Sequence, residues 1–298
     1  MESVRDVLFS DLRDPGTILG GLIRHDGITN SVFHTIVAIA IGRDYIDREL
    51  DFMMQNGDGD TVPRNEDNLV PGHYLIVSDE PAVASTRKFF TRGLSASTGT
   101  RLQSFRDEVR ARDQRCVITK LPCATGPQFD FWVGFEAAHI VPIAYAQVWH
   151  DRKFSSHVTI PPPPQHDSIN SVQNGLLMQS SIHQLFDAYS FSILPEANYK
   201  IVAFKGDHHG VSGTYLDRQL LDDVRCPPDA FFRWHFEQAV LCNVRGVGEP
   251  LPEFDFPPGS DMMGELSKEP KAAERLEFEF FTRLGASIPL EDASDQAD

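Results

Sequence analysis

Three patterns in the sequence predict an α+β fold. After Thr29, Asn30 and Ser31, all good N-caps, the apolar residues Val32, Phe33, Ile36, Val37, Ala40 and Ile41 recur at helical spacing. FSILP and YKIVAF alternate on either side of a turn at residues 195–198, as the two arms of a hairpin do. Pro227, Pro228 and Asp229 open a further helical stretch, in which Phe232, Phe236, Val240 and Val244 lie four apart. With 298 residues and 41% hydrophobic content, the chain can bury a substantial core, as one large or two modest domains.

Taken in order, residues 1–100 form a first α+β unit. The helical spacing that starts after Ser31 continues through Tyr45, Ile46, Leu50 and Met53, so one long helix is expected across these positions. The polar loop QNGDGDTVPRNEDN follows, with too few ordered oxygens for a calcium loop, and LVPGHYLIVSDEP reads as a turn and a strand. This unit carries no chemical motif and serves to pack on the next domain or to recognise a partner. Residues 101–205 form the second unit. A helix over Arg101 to Arg115 leads into CVIT, and a long insert holds Trp149 and the run Pro161 to Pro164, read as extended and largely without regular structure. Residues 206–248 are a helical extension packed on that core. Residues 249–298 combine a linker, one short amphipathic helix over Lys268 to Leu284 and an acidic tail, expected to be partly disordered.

The beginning of the chain lacks the basic and apolar regions of a signal peptide, and the longest apolar run, Val32 to Ile41, is too short to span a bilayer. An intracellular protein of the cytoplasm or nucleus, without membrane contact, is expected. Cys116, Cys123, Cys226 and Cys242 form no paired knuckles and read as free thiols. The net charge of −16 disfavours nucleic acid until it is divided by region. Residues 1–100 carry −6 and residues 206–298 carry −11, but residues 101–205 carry +1. Arg106, Arg110 and Arg112 stand in that stretch. They suit phosphate contacts, and they equally suit a solvated helix face on which Asp107, Glu108 and Asp113 offset them.

The chemistry concentrates between Glu136 and Asp187. His139 sits in EAAHIVP, Asn174 precedes Gly175 in NGLLM, and His183 and Asp187 fall in IHQLFD. On a helix, positions i and i+4 share a face, so the imidazole of His183 and the carboxylate of Asp187 can grip one divalent cation.

With RCVIT before them and FSILPEANYKIV behind, these words resemble the HNH nucleases, and most closely the HNH domains of uncharacterised fungal proteins and of some bacterial restriction enzymes. The resemblance covers residues 115–204 and implies a ββα-metal core that hydrolyses DNA. It further implies His139 as general base, Asn174 as the residue that holds the two strands so that the His139 ring faces the metal, and His183 with Asp187 as ligands of one divalent ion, Mg, Mn, Zn or Ni. One position departs from the pattern. Many members carry a further metal ligand directly before the base histidine, where this chain has Ala138. Aspartate at that position is expected to supply the absent oxygen. Glu136, on the same strand face, is expected in a salt bridge or in solvent, with a metal contact only if the strand is bulged. The other class of reading is a non-catalytic interaction module that keeps the scaffold.

Overall fold

The computed structural model describes residues 5–46, 49–90, 103–126, 129–163 and 166–246. The linker, the helix over 268–284 and the acidic tail expected from the sequence lie outside these residues.

Residues 5–90 build a mixed five-stranded sheet with order β2-β1-β5-β3-β4. Its strands are β1 (Val7–Asp11), β2 (Asp14–Leu22), β3 (Phe52–Gln55), β4 (Thr61–Val62) and β5 (Gly72–Ser78). The β1–β2 hairpin escaped the sequence reading. β1 pairs β5 in parallel, and the remaining pairs are antiparallel. Helix α1 (Asn30–Ala40) starts where the Thr29 side chain accepts from Val32 N–H, and every residue from Val32 to Ala40 is buried.

The expected long helix stops short at Ala40. Gly42 adopts φ +77°, Gly42 N–H donates to Ile39 O and Arg43 N–H to Ala38 O. This is the left-handed glycine cap that closes the last helical carbonyls and turns the chain away. Of the residues that carried the apolar spacing past Gly42, Tyr45 is buried after the cap, whereas Met53 is exposed on β3, whose core-facing residues are Phe52 and Met54.

The second part begins with α2 (Gln103–Asp113), followed by the short hairpin of β6 (Ala124–Gly126) and β7 (Phe129–Phe131). Strand β8 (Phe135–His139) pairs antiparallel with β9 (Gly175–Gln179), with His139 opposite Gly175 and Glu136 opposite Met178. Helix α4 (Ser180–Asp187) follows β9 without a loop. Between the paired strands the insert is more ordered than expected. Helix α3 (Ala146–Asp151) forms there, and Trp149 is fully buried with its ring against Phe154 and Phe231. The buried Trp149 ring anchors this short helix in an aromatic cluster with Phe154 and Phe231. The side chain of Gln173 pins the rest, its Oε1 accepting from Thr159 N–H and Ile160 N–H.

Strands β10 (Phe191–Leu194) and β11 (Lys200–Ala203) form the expected hairpin, closed by left-handed Asn198 and Tyr199. After the single turn α5 (Arg218–Leu221) comes α6 (Asp229–Asn243), preceded by Pro228. Phe231, Phe232, Trp234, Phe236 and Val240 are all buried, so α6 is covered on most of its circumference, as a central helix is. It packs on both α1 and β10 and thereby joins the two parts. All four cysteines are free thiols.

Candidate active site

Pleating divides the β8–β9 hairpin into two faces. Ala138, Leu176 and Met178 enter one apolar cluster with Ile182 and Phe186 of α4. Leu177 enters another with Phe105 and Val109 of α2, and Ala137 packs against it. The helices therefore cover opposite sides of the same two strands.

His139 belongs to the α2 face. Its ring lies on that of Phe105, with centroids 3.8 Å apart and planes 10° from parallel, and its Nε2 is buried. The close approach depends on Gly175 opposite. A Cβ there would stand 2.5 Å from Val109 Cγ2 and 2.7 Å from Phe105 Cε2.

Asn174 is fully buried at the end of the insert. Its Oδ1 accepts from Val141 N–H at 2.9 Å, and its Nδ2 donates to the carbonyls of Val141 and Ile169, both at 2.9 Å. Its own carbonyl accepts from Ile140 N–H. One side chain thus ties the chain leaving β8 to the chain entering β9, and satisfies polar groups that burial would otherwise strand.

His183 and Asp187 lie on the polar face of α4, on the other side of the hairpin. Asp187 Oδ2 stands 3.2 Å from His183 Nε2, and Glu136 Oε2 stands 2.6 Å from His183 Nδ1. The imidazole is held at both ends. Burial alone would pull its pKa down, but the hydrogen bonds to Asp187 and Glu136 outweigh burial and push it up to about 9. Glu136 shifts the other way, its carboxyl held below the usual range chiefly by the His183 hydrogen bond.

The structure brings His183, Asp187 and Glu136 together and leaves His139 on the opposite strand face. Glu136 was assigned to a salt bridge or to solvent from the sequence, and its partner is the ring expected to hold the metal. Register brings them together: Glu136 pairs with Met178, and α4 starts two residues later. The donor chemistry of His183 and Asp187, one nitrogen and one carboxylate on one helix face, fits a divalent cation with mixed ligands. Among the described residues, however, no group of three or more His, Cys, Asp or Glu side chains is arranged to hold a metal ion. Glu136 and Asp187 approach opposite nitrogens of one ring, so one ion cannot take all three side chains as they stand.

The arginines separate as well. Arg106 is exposed beside Asp107, and the Arg110 guanidinium lies over the Trp132 ring at 5.0 Å. Arg112, expected at phosphates, is instead fully buried. It donates to the carbonyls of Val172, Gly175 and Arg225 and to the Asp113 carboxylate, which accepts from Leu177 N–H. A guanidinium with its donors occupied inside the protein is a structural tie between α2, β9 and the loop before α6.

Residues 116–194 match the family model described as HNH endonuclease. The match runs from Cys116, just after α2, to the end of β10, and so contains His139, Asn174, His183 and Asp187. Residues 4–83 match a second family, described as Domain of unknown function (DUF8573), which corresponds to the N-terminal sheet and α1. No curated protein and no solved structure matches the chain. The HNH match supports nuclease-type chemistry in the second part of the protein. No described helix is long and apolar enough to cross a membrane.

Proposed function

We propose that the protein is an endonuclease that hydrolyses phosphodiester bonds of DNA with one divalent cation, Mg, Mn, Zn or Ni. The observation that carries this reading is the HNH family match falling on the hairpin and helix that hold His139, Asn174 and the His183–Asp187 pair. A bound cation would neutralise charge developing on the phosphate and the leaving oxygen. His183 and Asp187 hold it from the polar face of α4. His139 takes the proton of the attacking water. Asn174 does not react. It fixes the chain on both sides of the hairpin so that the base does not wander.

The base and the ligands sit on opposite faces, which makes the hairpin edge the place where a phosphate can meet both. The outer side of β9 is occupied, because Val117 N–H donates to Leu177 O and Leu177 N–H donates to Asp113. β8 pairs with β9 alone among the described strands, and DNA is taken along its outer side. Arg106 and Arg110 are the arginines of α2 assigned to phosphates, Arg112 being committed to the interior.

Plasmid nicking in Mg, Mn, Ni and Zn by the natural protein and by His139→Ala tests the reading. A general base contributes on the order of 100- to 10,000-fold in rate, and the variant should lose that much while remaining folded. Undiminished nicking removes His139 from the mechanism. A second reading, a non-catalytic module on the same scaffold, is favoured by Ala138, which is 1% exposed within the apolar cluster where many HNH nucleases place a ligand. DNA binding without cleavage in any of the four metals would select it.

A further inference from the structure

We propose that Glu136 is a positioning residue of the cation site: by holding His183 at Nδ1 it leaves Nε2 as the atom offered to the metal, beside Asp187. The proposal rests on the reading of His183 and Asp187 as ligands and adds to it which ring nitrogen binds and what selects it.

Distances separate the two carboxylates. Two ligand atoms each about 2.1 Å from one ion, at angles between octahedral and tetrahedral, stand about 3.0–3.4 Å apart. The His183 Nε2 to Asp187 Oδ2 separation of 3.2 Å falls within that range. The Glu136 Oε2 to His183 Nδ1 separation of 2.6 Å is too short for two ligands of one ion and is that of a charge-assisted hydrogen bond. Without metal both ring nitrogens face a carboxylate; a cation that takes Nε2 would displace the hydrogen there, and the shorter bond from Nδ1 to Glu136 would keep the other in place.

Position supports the same division of labour. Asp187 lies four residues from His183 on its own helix, where the two side chains share one face. Glu136 comes from β8, where it pairs with Met178, and its carboxylate also bonds Ser180 at the start of α4, so it fixes the ring from the strand side. Ala138, the next residue on that face, is buried under Ile182 and Phe186 and provides no donor. Glu136 therefore compensates for the ligand position at Ala138 by orienting the histidine that remains, without entering the coordination sphere.

Calorimetric titration of the full chain with Mn, on the natural protein, Glu136→Gln, Glu136→Ala and Asp187→Ala, tests this, together with the imidazole ¹⁵N resonances of the Zn-loaded natural protein. Glu136→Ala should bind Mn about 10- to 100-fold more weakly, as expected when a supporting partner of a ligating histidine is lost. Glu136→Gln retains an acceptor oxygen and should recover most of that loss. Asp187→Ala should show no binding, and the Zn-induced ¹⁵N shift should fall on Nε2. Equal binding by Glu136→Ala and the natural protein overturns the proposal alone. Loss in Glu136→Gln as complete as in Asp187→Ala, or a Zn-induced shift at Nδ1, also overturns it by making Glu136 a ligand. Failure of the natural protein to bind Mn overturns the reading of His183 and Asp187 beneath it, and the proposal with it.

Discussion

The two faces of the β8–β9 hairpin use the same side chain in opposite ways. On the α2 face, the His139 imidazole lies flat on the Phe105 ring, with its Nε2 buried. On the α4 face, the His183 imidazole is gripped at both nitrogens by carboxylates and acts as a carrier of charge. Residue type is constant, and environment decides the role: a ring against a ring contributes contact area, while a ring between two anions gains a proton. The lesson extends to Arg106 and Arg112, two arginines of one helix. The first stands in solvent, and the second has no exposed side-chain surface.

The contrast makes testable demands, and the largest concerns Ala138. From the sequence alone, Ala138→Asp would supply a metal ligand. In the structure, Ala138 is 1% exposed in the apolar cluster that holds Leu176, Ile182 and Phe186. An aspartate there buries an uncompensated carboxylate and should cost about 3–5 kcal/mol. Urea unfolding of the variant measures this, and a natural midpoint with tighter Mn binding would show that the carboxylate is compensated there.

A smaller effect concerns the charge of His183. The folded pKa of His183 is raised from 6.5 to about 9. The ion-paired ring therefore contributes stability that is fully present below about pH 6.5 and is lost as pH rises towards 9. With a chelator present, and allowing for the half-exposed Glu136 partner, the natural protein should lose about 1–3 kcal/mol over that interval relative to His183→Gln. Parallel pH profiles for the two proteins would remove the charge from the α4 face.

An effect of similar size is steric and belongs to the α2 face. Gly175→Ala places a methyl 2.5 Å from Val109 Cγ2 and 2.7 Å from Phe105 Cε2, and α2 must lift away from the strands. A loss of about 1–3 kcal/mol is expected by thermal denaturation. Mn affinity should not change, because His183 and Asp187 face the other way. A fall in Mn affinity would mean that the two faces are coupled through the hairpin.

Much of this was legible in the sequence, and the rest was not, for a physical reason. The N-cap at Thr29, the hairpin around residues 195–198 and the start of α6 after Pro228 were readable because capping, turn chemistry and periodicity act over a few residues. The words around His139, Asn174 and His183 located the candidate site for the same reason: each is a local pattern, and together they occur in one order. Even a local signal was misread at Gly42, where apolar spacing on both sides concealed a helix cap.

What the sequence by itself determined was which short segments exist and which side chains carry chemistry. The tertiary structure alone decided which of those side chains meet. Glu136 and His183 are 47 residues apart, and Arg112 reaches the carbonyl of Arg225 across 113. Strand register and the burial of whole helix faces set such pairings, and the energy of those contacts is spread over many residues, none of which announces it in its own neighbourhood.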